Sequence, residues 1–407
     1  MDQNNPPLAN SGNGLSGGQA PQPIKPPSIE RATHISRMKR LRLHIKAKWH
    51  SWRRWQKALA VLVTLLVLAL IAGGLYLALG RHKAPAASST TQTAPAPVAA
   101  KPTTVASPLS GVQVAPALAQ RPVTGIMIEN STDARPQSGL QDAGVVFEAI
   151  AEGGISRFLA LFQDTSPQYI GPVRSLRPYY IDFAAPFQAS IVHVGGSPDA
   201  LSRVQNGNYR NLDQFANGSY FTRITSRAAP HNVYTSFDEL DKLNQSKGYA
   251  KSTFDIWPRK DDAKLATPTA KTISLNISSY YYNVQYNYDL ATNTYMRNEG
   301  GAAHMDLVSA SDKTGIQLHP KVVIALVMPK SAGALDATGA YYTEYADTGS
   351  GNAYIFQDGG VTIGQWTKAD AGSQILFKDS AGSPIKLNAG QTWLTLVGSD
   401  GEVTYAP

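Results

Sequence analysis

The chain has 407 residues, 43% hydrophobic and 16% charged, with a net charge of +8 and a pI near 9.4. The basic excess is confined to the N-terminal part. Residues 1–83 carry 13 Lys and Arg against 2 Asp and Glu, which leaves residues 84–407 at −3 and removes the case for a nucleic-acid-binding surface on the folded part. With no cysteine, disulfides, thiolate metal sites and a lipidated cysteine are excluded together.

Residues 1–56 open with a Pro/Gly/Asn-rich stretch too poor in large apolar side chains to fold alone, and continue as the basic run "RMKRLRLHIKAKWHSWRRWQK". They read as a disordered, basic cytoplasmic tail. The apolar run that follows, assigned to residues 57–80, is long enough at about 1.5 Å per residue to cross a hydrocarbon core of about 30 Å. The basic run supplies nine cations ending at Lys57, where the apolar run begins, and only Arg81 and Lys83 follow closely, so the expectation is a single-pass anchor in the cytoplasmic membrane, N-terminus inside and folded domains outside. Residues 81–120, rich in Ala, Pro and Thr, read as an extended stalk.

From 121 to 255, strand-like runs such as "VTGIMIEN" and "ASIVHVG" alternate with helical signals, so the expected class is α/β: a layered α/β ectodomain. Ser236 to Glu239 has capping-box spacing before a helix towards Lys247, and Ser197-Pro198 opens another. After a linker at 256–272, period-two runs separated by turn residues make 273–407 a smaller β-rich domain. In its first run Tyr280, Tyr282, Tyr286 and Tyr288 share a face, which suits cross-strand packing better than a sugar-stacking platform.

Three constellations carry chemistry. In "VVFEAIAEGGISRFLALF" a Gly153-Gly154 turn folds two strands together, and strict alternation puts Glu148, Glu152 and Arg157 on one face as a Glu–Arg–Glu cluster. In "IGPVRSLRPYYIDFA" Arg174 and Arg177 stand among apolar residues with no acid before Asp182, so their partners come from elsewhere in the fold or from a ligand. In "IVHVGGSPDA", His193, Gly195, Gly196 and Ser197 form a strand-to-helix turn that aims backbone N–H groups at one spot suited to an anion. Arg227 and His231, in "RITSRAAPHNVYTS", belong to a segment that could converge on the same place. No histidine spacing is a metal motif, so no metal and no cofactor is implied. His304, Asp306 and His319 rank below these.

The segments "RPVTGIMIENSTDARPQSGLQDAGVVFEAIAEGGISRFLALFQ", "IGPVRSLRPYYIDFA", "HVGGSP", "APHNVYTS", "GQWTK" and "GQTWLTLV" closely resemble the YerB family, bacterial envelope proteins of unknown function (DUF3048). The resemblance runs from Arg121 to Tyr405 and implies an α/β N-terminal and a β-rich C-terminal domain. Family members described as lipoproteins are tethered through a lipidated cysteine, which this chain lacks. No activity comes with the resemblance. The expectation is therefore an extracytoplasmic protein that binds an anionic envelope polymer or lipid-linked precursor, or acts as a scaffold. The alternative is an envelope hydrolase or transferase using Glu148 or Glu152 as acid or base.

Overall fold

A computed structural model describes residues 103–407, together with Leu62, Val63 and Val67. Apolar, β-branched runs form the strands, and the helices are short. In the first half the elements are β1 (Thr124–Glu129), β2 (Val145–Glu152), β3 (Ile155–Phe162), α1 (Pro178–Ala184), β4 (Ser190–His193), α2 (Pro198–Asn206), β5 (Arg210–Asp213) and α3 (Phe237–Ser246). The second half adds β6 (Thr272–Leu275), β7 (Val284–Asp289), β8 (Thr294–Glu299), β9 (Val322–Val327), β10 (Lys330–Leu335), β11 (Tyr341–Tyr345), β12 (Gly349–Gln357), β13 (Gly360–Lys368), β14 (Leu376–Lys378), β15 (Thr392–Val397) and β16 (Val403–Ala406).

One large mixed sheet carries both halves, in the order β14-β13-β12-β9-β15-β2-β3-β1-β4-β5. The joint is β15, parallel to β9 on one side and to β2 on the other, with Trp393 opposite both Val323 and Val146. The sheet therefore runs across the expected boundary. The 256–272 segment is packed as well, with Trp257 buried and donating to the Ile375 carbonyl at 2.7 Å.

The local helix signals hold. Ser197 and Ser236 cap α2 and α3 through their side chains, accepting from the N–H groups of Ala200 and Glu239. Pro178 occupies the first turn of α1, where its missing N–H costs nothing. α1 and α2 cover one face of the sheet, packing Tyr180, Phe183 and Val204 with Phe147, Leu159 and Leu161. The other face takes Phe237 and Leu240 of α3 and also the smaller antiparallel sheet β8-β7-β6-β16, which buries Ile273, Tyr286 and Tyr295 against Ile126, Phe158 and Trp393. Tyr282 and Tyr286 are thus core residues, as cross-strand packing requires, whereas Tyr280 lies in a 3-10 turn ahead of β7 and is exposed.

Two expectations are corrected. The layered α/β class does not stand: residues 103–407 are mostly β, the three α-helices among them have 7, 9 and 10 residues, and most neighbouring strands pair antiparallel. The alternation that suggested βαβ units comes from strand pairs joined by hairpins, with helical crossovers confined to the β4–β5 edge. The single-pass anchor is the second: no helix among the described residues is long and apolar enough to cross a membrane, and that localisation is without structural support. The expected span itself lies outside the described residues apart from Leu62, Val63 and Val67, as do the tail and the stalk up to residue 102.

Candidate functional site

The β2–β3 hairpin decides where the acids go. Gly153 and Gly154 both have positive φ (56° and 79°), as a tight two-residue turn needs, but the register slips by one residue between Ile150 and Glu152. Ala149 therefore lies opposite Arg157 and Glu148 opposite Phe158. A one-residue bulge exchanges the faces of everything beyond it, so the expected Glu–Arg–Glu cluster is split between the two sides of the sheet.

On the side covered by α1, Glu152 Oε1 accepts from Arg157 Nη2 at 2.7 Å, and Oε2 accepts from Arg177 Nε at 3.0 Å. Arg157 also donates to the Ser175 carbonyl at 3.0 Å, and Arg177 lies 4.9 Å from the ring centroid of Tyr342. Burial by itself would raise the Glu152 carboxyl, but Arg157 and Arg177 together outweigh it and hold the group below its usual value. Arg157 and Arg177 are both buried. Arg177 is thus an ion-pair partner of this fold.

Arg174 is different. Its backbone is fixed by Met127, whose carbonyl accepts its N–H at 2.9 Å, while its guanidinium donates no hydrogen bond within the described residues. The nearest acid is Glu129 at 3.3 Å from Nε. Glu129 is shared: Ser131 Oγ donates to its Oε1 at 3.0 Å, and His231 Nδ1 lies 2.9 Å from the same oxygen. Burial and the neighbouring Arg157 both disfavour the Arg174 charge, which Glu129 and, to a smaller extent, Glu152 only partly offset. This cluster holds three arginines against two glutamates, and Arg174, a quarter exposed, is the cation left underpaired.

On the opposite side, Glu148 is completely enclosed. Its Oε1 accepts from Arg297 Nη2 (2.8 Å) and Ser156 Oγ (3.2 Å), and its Oε2 from Trp393 Nε1 and Thr395 Oγ1 (both 3.0 Å). Arg297, also fully buried, spreads its donors over Glu148, Tyr286 (2.7 Å) and His304 (2.9 Å), with the Trp393 ring centroid 4.5 Å away. Because a guanidinium only donates, His304 Nδ1 is an acceptor and its Nε2–H goes to Gln137 Oε1 at 2.8 Å. Burial and Arg297 push His304 well below its ordinary value, so it stays neutral. Glu299 Oε2 sits 3.1 Å from the same Nδ1 without a hydrogen bond to it, because the one lone pair of that nitrogen already takes the Arg297 N–H. Burial pushes Glu299 up to about 7, against the pull of Arg297 and with the push of Glu148.

The glycine turn does not join either cluster. His193 is fully buried between the Gly195 carbonyl (2.8 Å) and the Asn211 side chain (2.9 Å). Asp213 already accepts from the Gly195 N–H at 3.1 Å, the Ser197 N–H goes to Leu176, and Gly196 is bridged to Leu176. The N–H groups of Gly195 and Ser197 are thus occupied, and the bridge between Leu176 and Gly196 runs through these neighbours and not through the Gly196 N–H. Arg227 donates to the carbonyls of Asp133 and Pro136 and so buttresses the 131–136 loop. Asp306 accepts from the N–H groups of Gly139, Leu140 and Gln141, each at 3.1 Å, and secures a loop. No group of three or more His, Cys, Asp or Glu placed to hold a metal ion occurs among the described residues.

Sequence reasoning missed Glu129, Arg297 and Glu299. A usable signal exists for the last two. In "TYMRNEGGAAHMD" Arg297 and Glu299 alternate in phase with Tyr295 on the buried face of β8, and the Gly300-Gly301 turn returns the chain to His304. Charged residues on an apolar strand face need partners. Glu129 closes an otherwise apolar strand, a weaker signal.

Comparison with known proteins is consistent with this arrangement. Residues 109–250 match the family described as "Protein of unknown function (DUF3048) N-terminal domain", and residues 273–394 match its C-terminal counterpart. A Bacillus subtilis relative named "Putative lipoprotein YerB" is 32% identical over 265 residues, covering 64% of this chain and 76% of the relative. The crystal structure of the YerB protein from Bacillus subtilis superposes with a TM-score of 0.65 at 28% identity, covering 74% of this chain and all of that one.

Proposed function

The chain belongs to the YerB (DUF3048) family, a family of unknown function, and from that premise we propose that it is a cell-envelope protein that binds an anionic ligand at Arg174. The lipoprotein name of the Bacillus subtilis relative supports an envelope setting. One observation carries the ligand reading: a half-buried guanidinium that donates no hydrogen bond, in a cluster with one more arginine than glutamate. A carboxylate or phosphate placed there takes two parallel N–H donors and balances the charge. His231, beside Glu129, stands within the same group.

Acid–base chemistry by Glu148 or Glu152 is disfavoured, since each carboxylate is fully engaged with arginine and other donors. The test is thermal melting of the full-length protein with inorganic phosphate, acetate and anionic envelope fragments, set beside R174Q and R177A. The melting temperature of the parent rises with ligand, as mass action requires: about 2.7 kcal/mol at one hundred times Kd. R174Q melts like the parent without ligand and loses the shift, whereas R177A melts lower because Glu152 loses a buried partner. If no anion shifts the parent, or R174Q retains the shift, the ligand reading is wrong and a scaffold takes its place.

A further inference from the structure

We propose that this anion site is one end of a surface for an acidic carbohydrate, a saccharide chain bearing carboxylate or phosphate groups; the inference rests on the reading of Arg174 above. Two loops flank the Gly153-Gly154 turn of the β2–β3 hairpin. On one side Ser278 Oγ donates to the Gly154 carbonyl at 2.6 Å, and on the other the Gly153 N–H donates to the Tyr341 carbonyl at 3.1 Å. The first carries Tyr280 and Tyr281 and the second leads into β11 at Tyr341; their exposures of 66%, 60% and 57% are high for such large rings. The same hairpin supplies Glu152 and Arg157 to the arginine cluster, and Tyr342, next to Tyr341, covers Arg177.

The 131–136 loop links the tyrosines to Arg174. Ser131 hydrogen-bonds Glu129 and lies 3.3 Å from His231, on the Arg174 side. Thr132 and Arg135 line a recess of about 350 Å³ together with Tyr281, Ala302 and Met305, with Glu299 and His304 of the buried cluster at its wall. Arg135 donates to the Tyr281 carbonyl at 2.9 Å and so sets that loop against the recess. A cation, a recess and exposed aromatic rings thus gather at the end of the sheet where β1 finishes at Glu129 and β2 turns into β3 at Gly153-Gly154.

That succession matches the chemistry of a sugar chain with acid groups. The C–H face of a pyranose is flat and apolar and stacks on a tyrosine ring, its hydroxyls remain wet, and its acid group pairs with a guanidinium. The amphipathic tyrosine offers a large, rigid contact area at low entropic cost.

The experiment is isothermal titration of the full-length protein with trigalacturonate, a phosphate-linked trigalactoside, maltotriose, triglutamate, acetate and inorganic phosphate. It is repeated on R174Q and on a triple variant Y280A, Y281A, Y341A. At least one acidic trisaccharide binds tenfold or more tightly than acetate or phosphate, and which one identifies the acid group. Maltotriose binds weakly. The triple variant loses that tenfold advantage and keeps acetate and phosphate binding unchanged. The inference is overturned if neither acidic trisaccharide exceeds the simple anions, if triglutamate binds as well as they do, or if the triple variant binds like the parent; in each case Arg174 remains an anion site. If no anion binds, or R174Q binds everything as the parent does, the reading of Arg174 fails and the carbohydrate surface falls with it.

Discussion

Replacing Glu148 by alanine lowers the unfolding free energy by about 3–5 kcal/mol, because Arg297 then loses its hydrogen-bonded carboxylate in a dry interior and keeps only Glu299, 3.7 Å away. The effect is large for a geometric reason: the Glu148 carboxylate takes four hydrogen bonds, from Arg297, Ser156, Trp393 and Thr395, and none of these donors has water as a substitute. Urea unfolding of E148A against the parent measures it. A cost below about 1 kcal/mol would show that water enters the cluster and that the pair is not structural. The double variant E148L/R297M is expected to lose far less than E148A, since removing both charges leaves neither one stranded. The contrast separates the cost of an orphaned arginine from the worth of the pair.

The second large effect is a gain. With Glu299 replaced by glutamine, the protein becomes more stable than the parent as pH rises from about 5 to 8, the gap growing by on the order of 2 kcal/mol. The sign follows from the raised carboxyl. In the unfolded chain Glu299 ionises near its ordinary value of 4.5, and in the folded protein near 7, so between these values the native state binds the extra proton. Native stability is therefore lost as pH climbs through that window. Glutamine removes the titration, and its amide oxygen can still accept from Asn130, which donates to Glu299 Oε1. The groups facing Glu299 are Arg135, Arg297, Glu148 and His304, with Asn130 donating to its Oε1 at 2.7 Å. His304, depressed by burial, contributes an opposite slope below its ordinary value of 6.5, but it does so in parent and variant alike and drops out of the difference. Unfolding curves for the two proteins that run parallel from pH 5 to 8 would refute a neutral Glu299.

The features legible in the sequence are the local ones. Ser197 and Ser236 were readable as caps because a cap is set by residues three apart, and Gly153-Gly154 was readable as a turn because the required φ values favour glycine. The phase of the β2–β3 hairpin was not. It depends on the bulge at Ala151, where the Tyr345 hydroxyl accepts the Ile150 N–H at 3.0 Å and the Tyr179 hydroxyl donates to the Ile150 carbonyl at 2.7 Å. Those partners lie 195 and 29 residues away, beyond the reach of periodicity. The same holds for Arg297, 149 residues from Glu148. The sequence questioned Arg174 and Arg177 together, and the fold answers them differently: one is absorbed by Glu152, the other is left with a shared acid.

The position of β15 also sets the order in which the protein can be made. Residues 392–397 complete the join between β9 and β2, so a ribosome has released nearly four hundred residues before the large sheet can close. Until then the nascent β2–β3–β1 portion has an open edge at β2, and β9 waits with an open edge of its own. Such edges invite pairing with other chains, and contacts across some 250 residues of sequence form slowly. The protein's vulnerable moment is thus the interval between synthesis of its first strands and arrival of its penultimate one, when a chaperone that shields strand edges has the most to contribute.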